Sequence, residues 1–522
     1  MSPWKRPLLC LASCALLGLS FPKPDIGILA WVALIPLVWA LRESTPKQGA
    51  AYGGLLGVTL TVITLYYIGI FGYLPLILLA VYQGVFFALL GLAWPIFLRK
   101  GGVTGVLGTA AAWAGLEWVR SLGPLGHTVG ALGYTQHALL SVAQVARIGS
   151  VYAVSFVIVV VNVGIAEAIR EARGKREGKS GARQVLSSPR IVSGGLLLLT
   201  LAYGFVVLAL GGRDHSPVLR AAAIQPNPTL SFYSTTRAEE RADFRRHVQM
   251  TIGLSGWEPD FIAWPESAIQ GSLFSTDDRP FDVAQGGEPV DPPETFAEVV
   301  RAARESGADL LVGSTERETM PDSHLVGNYN RAWLISRQGQ IVGYYDKVNL
   351  AIFGEYVPFR HSLGFILNRY PIRSFDYTPG KEIAPLEADN YTVGVAICFE
   401  ELKPGITRKE CGAGADVLAI ITNDGWFKRT SAAEQLAYIC VFRAIENGAP
   451  VVRAAKTGVS CIIDKYGRVL DRSVVFVEGS VKAPVRLRRG VTPYQVLGDT
   501  FAILCLIGAA VGLRRPVWES RV

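Results

Sequence analysis

A chain of 522 residues, half of them apolar and 18% charged, with a mean hydropathy of +0.31, is too apolar for a wholly soluble protein, where about 25% of residues are charged, and long enough for more than one domain. Seven cysteines with no CxxC pair argue against a disulfide framework or a zinc site, and six scattered histidines show no metal-ligand spacing. The formal net charge of +8 implies a nucleic-acid partner only if the cations gather on a soluble part, so their positions decide its meaning.

From the N-terminus, long apolar runs predict membrane spans near 7–21, 26–41, 51–71, 75–98, 101–118, 148–169 and 191–211, with one more near 495–513. The first two are short and are expected to form a tilted or re-entrant hairpin. "LASC", ending at Cys14, imitates a lipoprotein cleavage box, but the apolar stretch before it is too short for a signal-peptide core and hydrophobicity continues beyond it. Cys14 is therefore read as a helix residue. Glu117 and Arg120, spaced i, i+3 at a helix end, are read as a local surface pair. Lysines and arginines of alternate short loops and the C-terminal tail number 16 on one side and 3 on the other, which predicts cytoplasmic termini and an external domain between them. The basic excess is thus mainly a topology signal, and no nucleic-acid partner is expected. The expected domains are 1–212 (about seven spans), 213–490 (soluble) and 491–522 (a last helix and tail).

Between 213 and 490 apolar strand patterns recur at 218–227, 259–267, 308–317, 331–347, 391–398, 415–424 and 449–470, with helical stretches such as 292–306 and 431–447 between them. Alternation of this kind predicts an α/β layered fold with covered sheets. "SRQGQI" and "DKYGRV" read as hairpin turns bending at Gly339 and Gly467.

Three ionisable residues each stand just past an apolar strand: Glu266 in "FIAWPES", Lys347 in "YYDKVNL" and Cys398 in "AICFEE". Taken singly, a thiol at a strand end is more often a small core residue, and a lone lysine or glutamate is usually a solvated loop charge. Together they make a workable covalent catalyst. A free thiol is only about 3% ionised at neutral pH, a neighbouring ammonium favours the thiolate, and a carboxylate can take its proton.

The wording of these stretches resembles the nitrilase (carbon–nitrogen hydrolase) superfamily. "WPES", "YDKVNL" followed by "FGEYVPF", "ICFEE", "NDGWF" and "RAIENGAPVVRAAKTG" occur in the family's order. With "LSFPKPDIGILAWVALIPLVWAL" and "AAAWAGLEWVRS" in the apolar part, nearly the whole chain resembles the apolipoprotein N-acyltransferase branch. The chain departs from the family pattern at Phe399, Lys428, Leu436 and Lys456, where tyrosine, glycine, histidine and asparagine are usual.

The resemblance implies a multi-pass α-helical membrane bundle plus an α/β nitrilase-like αββα sandwich. It implies Cys398 as nucleophile, Glu266 as proton acceptor and donor, and Lys347 as stabiliser of the oxyanion. Glu355 and Glu400 would orient Lys347 and keep it charged, with Phe399, Trp264 and Trp426 in supporting places. Glu401 is expected to be a solvated loop residue. The acyl donor would be a phospholipid (sn-1 ester) and the acceptor an S-diacylglyceryl apolipoprotein. No metal or other cofactor would be needed. The protein would be a monomer in the bacterial inner membrane, its catalytic domain periplasmic. Residues 349–370 place Phe353, Phe359, Phe365, Ile366, Leu367 and Tyr370 directly after the lysine, which suits a lipid better than a small amide. The alternative is a membrane-anchored amidase or nitrilase acting on a small soluble substrate, for which one anchor helix would suffice.

Overall fold

The computed structural model describes residues 4–176, 189–228, 236–273, 292–319, 326–352, 354–357 and 376–514. Of the apolar residues expected after the lysine, Phe353, Phe359, Phe365, Ile366, Leu367 and Tyr370 lie outside them. The chain divides into two compact units: Met1–Arg213 with Thr492–Val522, and Asp214–Val491.

The first unit is helical. Pro46–Phe71, Tyr73–Lys100, Ala146–Arg173 and Pro189–Gly211 are long and apolar enough to cross a membrane, while Gly27–Arg42 and Thr500–Arg514 are apolar but shorter. The 26–41 stretch is broken: a 3-10 turn at Gly27–Trp31 precedes the helix Ile35–Arg42. The break leaves backbone groups that Asn162 satisfies, its Oδ1 accepting from Leu34 N at 2.8 Å and its Nδ2 donating to Ala30 O at 2.9 Å. Cys14 is buried within the helix Lys5–Ser20, as a helix residue should be. Pro46–Leu65 and Tyr73–Lys100 approach through glycines, since a Cβ on Gly49 would lie 2.1 Å from Gly91 O and one on Gly91 2.0 Å from Gly49 O. The expected surface pair of Glu117 and Arg120 is a misreading. Both are buried; Glu117 accepts from Trp113 Nε1 and Leu132 N at 2.8 Å each, and Arg120 donates to Val129 O at 3.0 Å. The helix packs on both sides at that level, so an i, i+3 spacing no longer marks a solvent face. Cations of different loops meet at one end of the bundle: Arg6 bonds Glu43 O, Arg99 bonds Ser44 O and Arg42 pairs with Glu167.

The second unit carries two six-stranded sheets among the described residues. The first runs β12 (Gly479–Arg486), β1 (Val218–Gln225), β2 (Phe261–Ala263), β3 (Asp309–Thr319), β4 (Val326–Ile335), β5 (Ile341–Asp346). The second runs β11 (Val469–Arg472), β10 (Cys461–Ile463), β9 (Val451–Ala455), β8 (Val417–Thr422), β7 (Thr392–Ile397), β6 (Leu386–Glu387). Each has a parallel centre (β1, β2, β3 and β7, β8, β9) with antiparallel strands outside it. The inner faces meet in one core. Ala221, Phe261, Leu311 and Leu334 of the first sheet lie with Val395, Ile397, Ala419, Ile421 and Val452 of the second. The outer face of the first sheet (Ile224, Ile262, Trp264, Leu310) packs on Val248 and Val299 of the helices Arg237–Ile252 and Pro292–Ser306. Pro404–Gly412 and Ala432–Asn447 cover the second. The result is an αββα sandwich.

Both expected hairpin bends are present, with Gly339 at φ 83° and Gly467 at φ 86°. Sequence reading omits β12, whose "VKAPVR" alternates but contains Pro484. Among the described residues the strand pairs with β1 alone and forms the sheet edge, where a residue without an N–H is tolerated.

Candidate active site

The parallel strands β2, β7 and β8 deliver Glu266, Cys398 and Asn423 just past their C-terminal ends, and β5 delivers Lys347 to the same end of its sheet. Cys398 begins a 3-10 turn (Cys398–Leu402) and has φ 55°, a left-handed conformation unfavourable for a side chain with a Cβ. The chain leaves the strand direction there, and the cysteine is free and partly buried.

Lys347, 1% exposed, extends into a cage of carboxylates. Its Nζ lies 2.9 and 2.8 Å from the two oxygens of Glu355 and 3.8 Å from Glu266 Oε1. Asn330, on β4, joins the two acids, since its Nδ2 donates to Glu266 Oε1 at 2.7 Å and to Glu355 Oε1 at 2.9 Å. Asn423 N donates to Glu266 Oε2 at 2.9 Å, and Ala351 N to Glu355 Oε2 at 2.7 Å. Each carboxylate is therefore fixed through both oxygens.

The electrostatics follow from burial and these neighbours. Burial pushes the Cys398 thiol well above its ordinary range and the Glu266 charge adds to this, while Lys347 opposes them. Burial pulls the Lys347 ammonium down, but Glu355 above all, with Cys398 and Glu266, outweighs it and holds the lysine charged. Glu355 is lowered, because Lys347 and its N–H donors outweigh burial.

Glu400, fully buried, anchors the segment that follows the lysine. Its Oε1 accepts from Val348 N at 2.8 Å and Asn349 N at 2.9 Å, and its Oε2 from Ile397 N at 2.8 Å and the Tyr345 hydroxyl at 3.0 Å. Burial pushes its carboxyl up to about 7 against those donors. Glu401 is not the solvated residue expected from sequence. It is fully buried, its oxygens each 3.0 Å from Arg453, whose Nη1 also reaches Asp424 Oδ2 at 2.9 Å. The 3-10 turn separates consecutive side chains by about 120°, so Glu400 faces the lysine segment and Glu401 faces β9.

Trp264 stands outside this cluster. It is buried on the helix-facing side of the first sheet, donating to Thr251 Oγ1 at 2.8 Å and lying 5.2 Å from the His247 ring. Its place at the end of β2 puts it on the face opposite to the inter-sheet core. Phe399 meets Phe427 with ring centroids 6.0 Å apart, and Trp426 is partly buried in the same 3-10 turn as Phe427.

Two departures from the family wording acquire physical meaning. Lys428 has φ 51° and ψ −152°, a conformation natural only to glycine, and its side chain is exposed. Lys456 is buried, its Nζ 2.8 Å from Ser267 O and 3.3 Å from Asp243 Oδ2. Leu436 is buried in the helix Ala432–Asn447, and nothing in the structure explains the replacement of histidine. The glycine that follows "KT" is required by close approach, because a Cβ on Gly458 would lie 2.1 Å from Asp424 Oδ2.

Residues 220–489 match the family described as carbon-nitrogen hydrolase, and 13–164 match the apolipoprotein N-acyltransferase N-terminal domain. An apolipoprotein N-acyltransferase of Geobacter metallireducens is 33% identical over 521 residues, 98% of this chain and 95% of the relative. The chain belongs to the apolipoprotein N-acyltransferase family. A member from Agrobacterium fabrum is 28% identical, covering 89% of this chain and 87% of its own. Among solved structures, a carbon-nitrogen hydrolase from Helicobacter pylori G27 covers 52% of this chain and 90% of its own at 17% identity and a TM-score of 0.37. The N-acyltransferase family wording fits the motifs that place Glu266, Lys347 and Cys398 together, but sequence reading misses Asn330 and Asn423. Asn330 lies in "YNRAW", where alternation could have marked it as inward-facing; Asn423 acts through its backbone, which no side-chain pattern reveals.

Proposed function

We propose that this membrane enzyme N-acylates lipoproteins: it moves a fatty acyl chain from the sn-1 ester of a phospholipid to the α-amine of an S-diacylglyceryl cysteine through a thioester on Cys398. The observation that carries the reading is the Lys347 ammonium held between Glu355 and Glu266, in a unit whose cysteine sits on a strained turn.

In the first half-reaction Glu266 takes the thiol proton and the sulfur attacks the ester carbonyl. Negative charge develops on the carbonyl oxygen, and the fixed Lys347 ammonium lowers the energy of that state without having to reorganise. Collapse breaks the ester C–O bond, and the lysophospholipid alkoxide takes the proton from Glu266. In the second, the neutral amine attacks the thioester, Glu266 accepts the amine proton, and the departing thiolate recovers it. Glu355 keeps the lysine charged throughout, and Asn330 and Asn423 hold Glu266 in place.

The membrane unit and the full-length match to acyltransferases favour transfer over hydrolysis of a small amide. Incubating purified protein with phospholipid and a diacylglyceryl-cysteine peptide should add the mass of one acyl chain to the peptide. Loss of the acyl chain to water, with no peptide product, would instead support the amidase reading.

The meeting of Arg6, Arg42 and Arg99 at one end of the bundle supports a cytoplasmic placement of that end, and with it a periplasmic catalytic unit and an inner-membrane location. A reporter active only in the periplasm, fused near residue 300, should be active; strong activity from a cytoplasm-only reporter there would reverse the orientation. The protein is taken to act as a monomer.

A further inference from the structure

The turn that carries Glu266 is strained, since Ser267, immediately after it, has φ 50°. Such a conformation persists only where its surroundings over-determine it. One support is Gly313 on β3, where an added Cβ would lie 2.4 Å from Pro265 O and 3.0 Å from Glu266 Cα. Another is Ile269 N, which donates to Gly313 O at 3.0 Å. The third is Lys456. Its side chain crosses from the end of β9 to the first sheet and donates to Ser267 O at 2.8 Å, while Asp243 Oδ2 on the helix Arg237–Ile252 lies 3.3 Å from the same nitrogen. Its backbone N donates to Thr422 O at 3.0 Å, next to Asn423, whose own N–H holds Glu266 Oε2. Lys456 thus ties the turn after Glu266 to the strand end that grips the carboxylate.

We propose that Lys456 is a positioning residue for Glu266, its ammonium clamping the Ser267 carbonyl so that the carboxylate meets Asn330 and Asn423 together. This rests on the reading of Glu266 as the proton acceptor. A buried ammonium is costly unless paired, and Asp243 supplies the countercharge. His247 does not compete for that charge: burial pushes its imidazole down to about 4, with Asp243 opposing and Lys456 reinforcing the shift. A charge-assisted N–H···O bond is stronger and shorter than a neutral one, which suits a clamp on a strained carbonyl.

The test uses the full-length protein and labelled phospholipid, with the rate of acyl-enzyme formation followed at increasing donor concentration. Two variants are compared: Lys456→Met, and Lys456→Met with Asp243→Asn, which leaves no uncompensated buried carboxylate and decides the matter if the single variant does not fold. Both are also made in a Glu266→Gln background and measured at alkaline pH. A misplacement of about 1 Å costs on the order of 100-fold, so a loss of about 10- to 100-fold in maximal rate is expected, with the half-saturating donor concentration unchanged. In the Glu266→Gln background the same substitutions should change the rate less than about 2-fold, because the group they position is gone. Equal losses in both backgrounds, a raised half-saturating concentration, or no loss at all would overturn the proposal. Failure of the unsubstituted protein to form any acyl-enzyme would overturn the functional reading instead.

Discussion

Cys398→Ser should abolish acyl-enzyme formation, with a loss of about 10⁴-fold or more, the scale seen when a covalent nucleophile is removed. The hydroxyl keeps the shape of the strained turn but ionises far less readily than a thiol in a site where burial and Glu266 already oppose the anion. Three other cysteines of the catalytic unit serve as controls. Cys411, Cys440 and Cys461 are buried. Burial pushes Cys461 up to about 12 and Cys440 well above its ordinary range, and Cys440 Sγ donates to Glu401 Oε2 at 3.1 Å. Serine at each should leave most of the acyl-enzyme intact. Labelled phospholipid followed by peptide mapping reads the result, and a thioester on a peptide lacking Cys398 would refute the assignment.

Lys347→Met and Glu266→Gln should both slow acylation but differ in whether alkali restores it. On the proposed roles, loss of the ammonium removes one stabiliser of the developing oxyanion, at a cost of roughly 100- to 1,000-fold. It also removes a nearby charge that pulls the Cys398 thiol down, so the thiolate becomes scarcer and raising the pH brings no positive charge back. Glu266→Gln loses the proposed proton acceptor, yet it also removes a charge that pushes the thiol up. Raising the pH then ionises Cys398 without a base and should restore part of the rate. The measurement is acyl-enzyme formation between neutral and alkaline pH for both variants. Equal recovery, or recovery of Lys347→Met alone, would mean that the roles of the two residues are wrongly assigned.

Much of the sandwich was legible because its centre is parallel. Buried strands such as "VLAIIT" and "VGVAI" read as nearly continuous apolar runs, and the ionisable residues just past Ala263, Asp346 and Ile397 stand out against them. The contacts that make those residues a cluster were not legible. Asn330 sits 64 residues from Glu266, and which of two alternating faces a strand turns inward depends on the opposing sheet. Glu401 misled for a related reason. Two adjacent glutamates after a strand resemble a solvated loop, and only the 3-10 turn that sends them to different partners shows that both are buried. In the membrane unit, runs that hydropathy treats as equal differ in the fold, because a side-chain amide such as that of Asn162 allows a span to break where a uniform apolar helix could not.

The cage around Lys347 also fixes how protons are accounted for. On the proposed chemistry it starts as two carboxylates, one ammonium and a neutral thiol, and passing the thiol proton to Glu266 leaves the total charge unchanged. Handing the same proton to the departing lysophospholipid restores the starting state, so on the proposed chemistry the first half-reaction is a closed circuit that exchanges nothing with the solvent. The second half-reaction is open, because a peptide α-amine, with a pKa of about 7.7 to 8.0, arrives mostly as ammonium at neutral pH and must shed a proton to water before it can attack. On the proposed chemistry the incoming lipoprotein therefore brings a pH dependence of its own to deacylation, and an acceptor with a less basic amine would shift that part towards acid without any change in the protein.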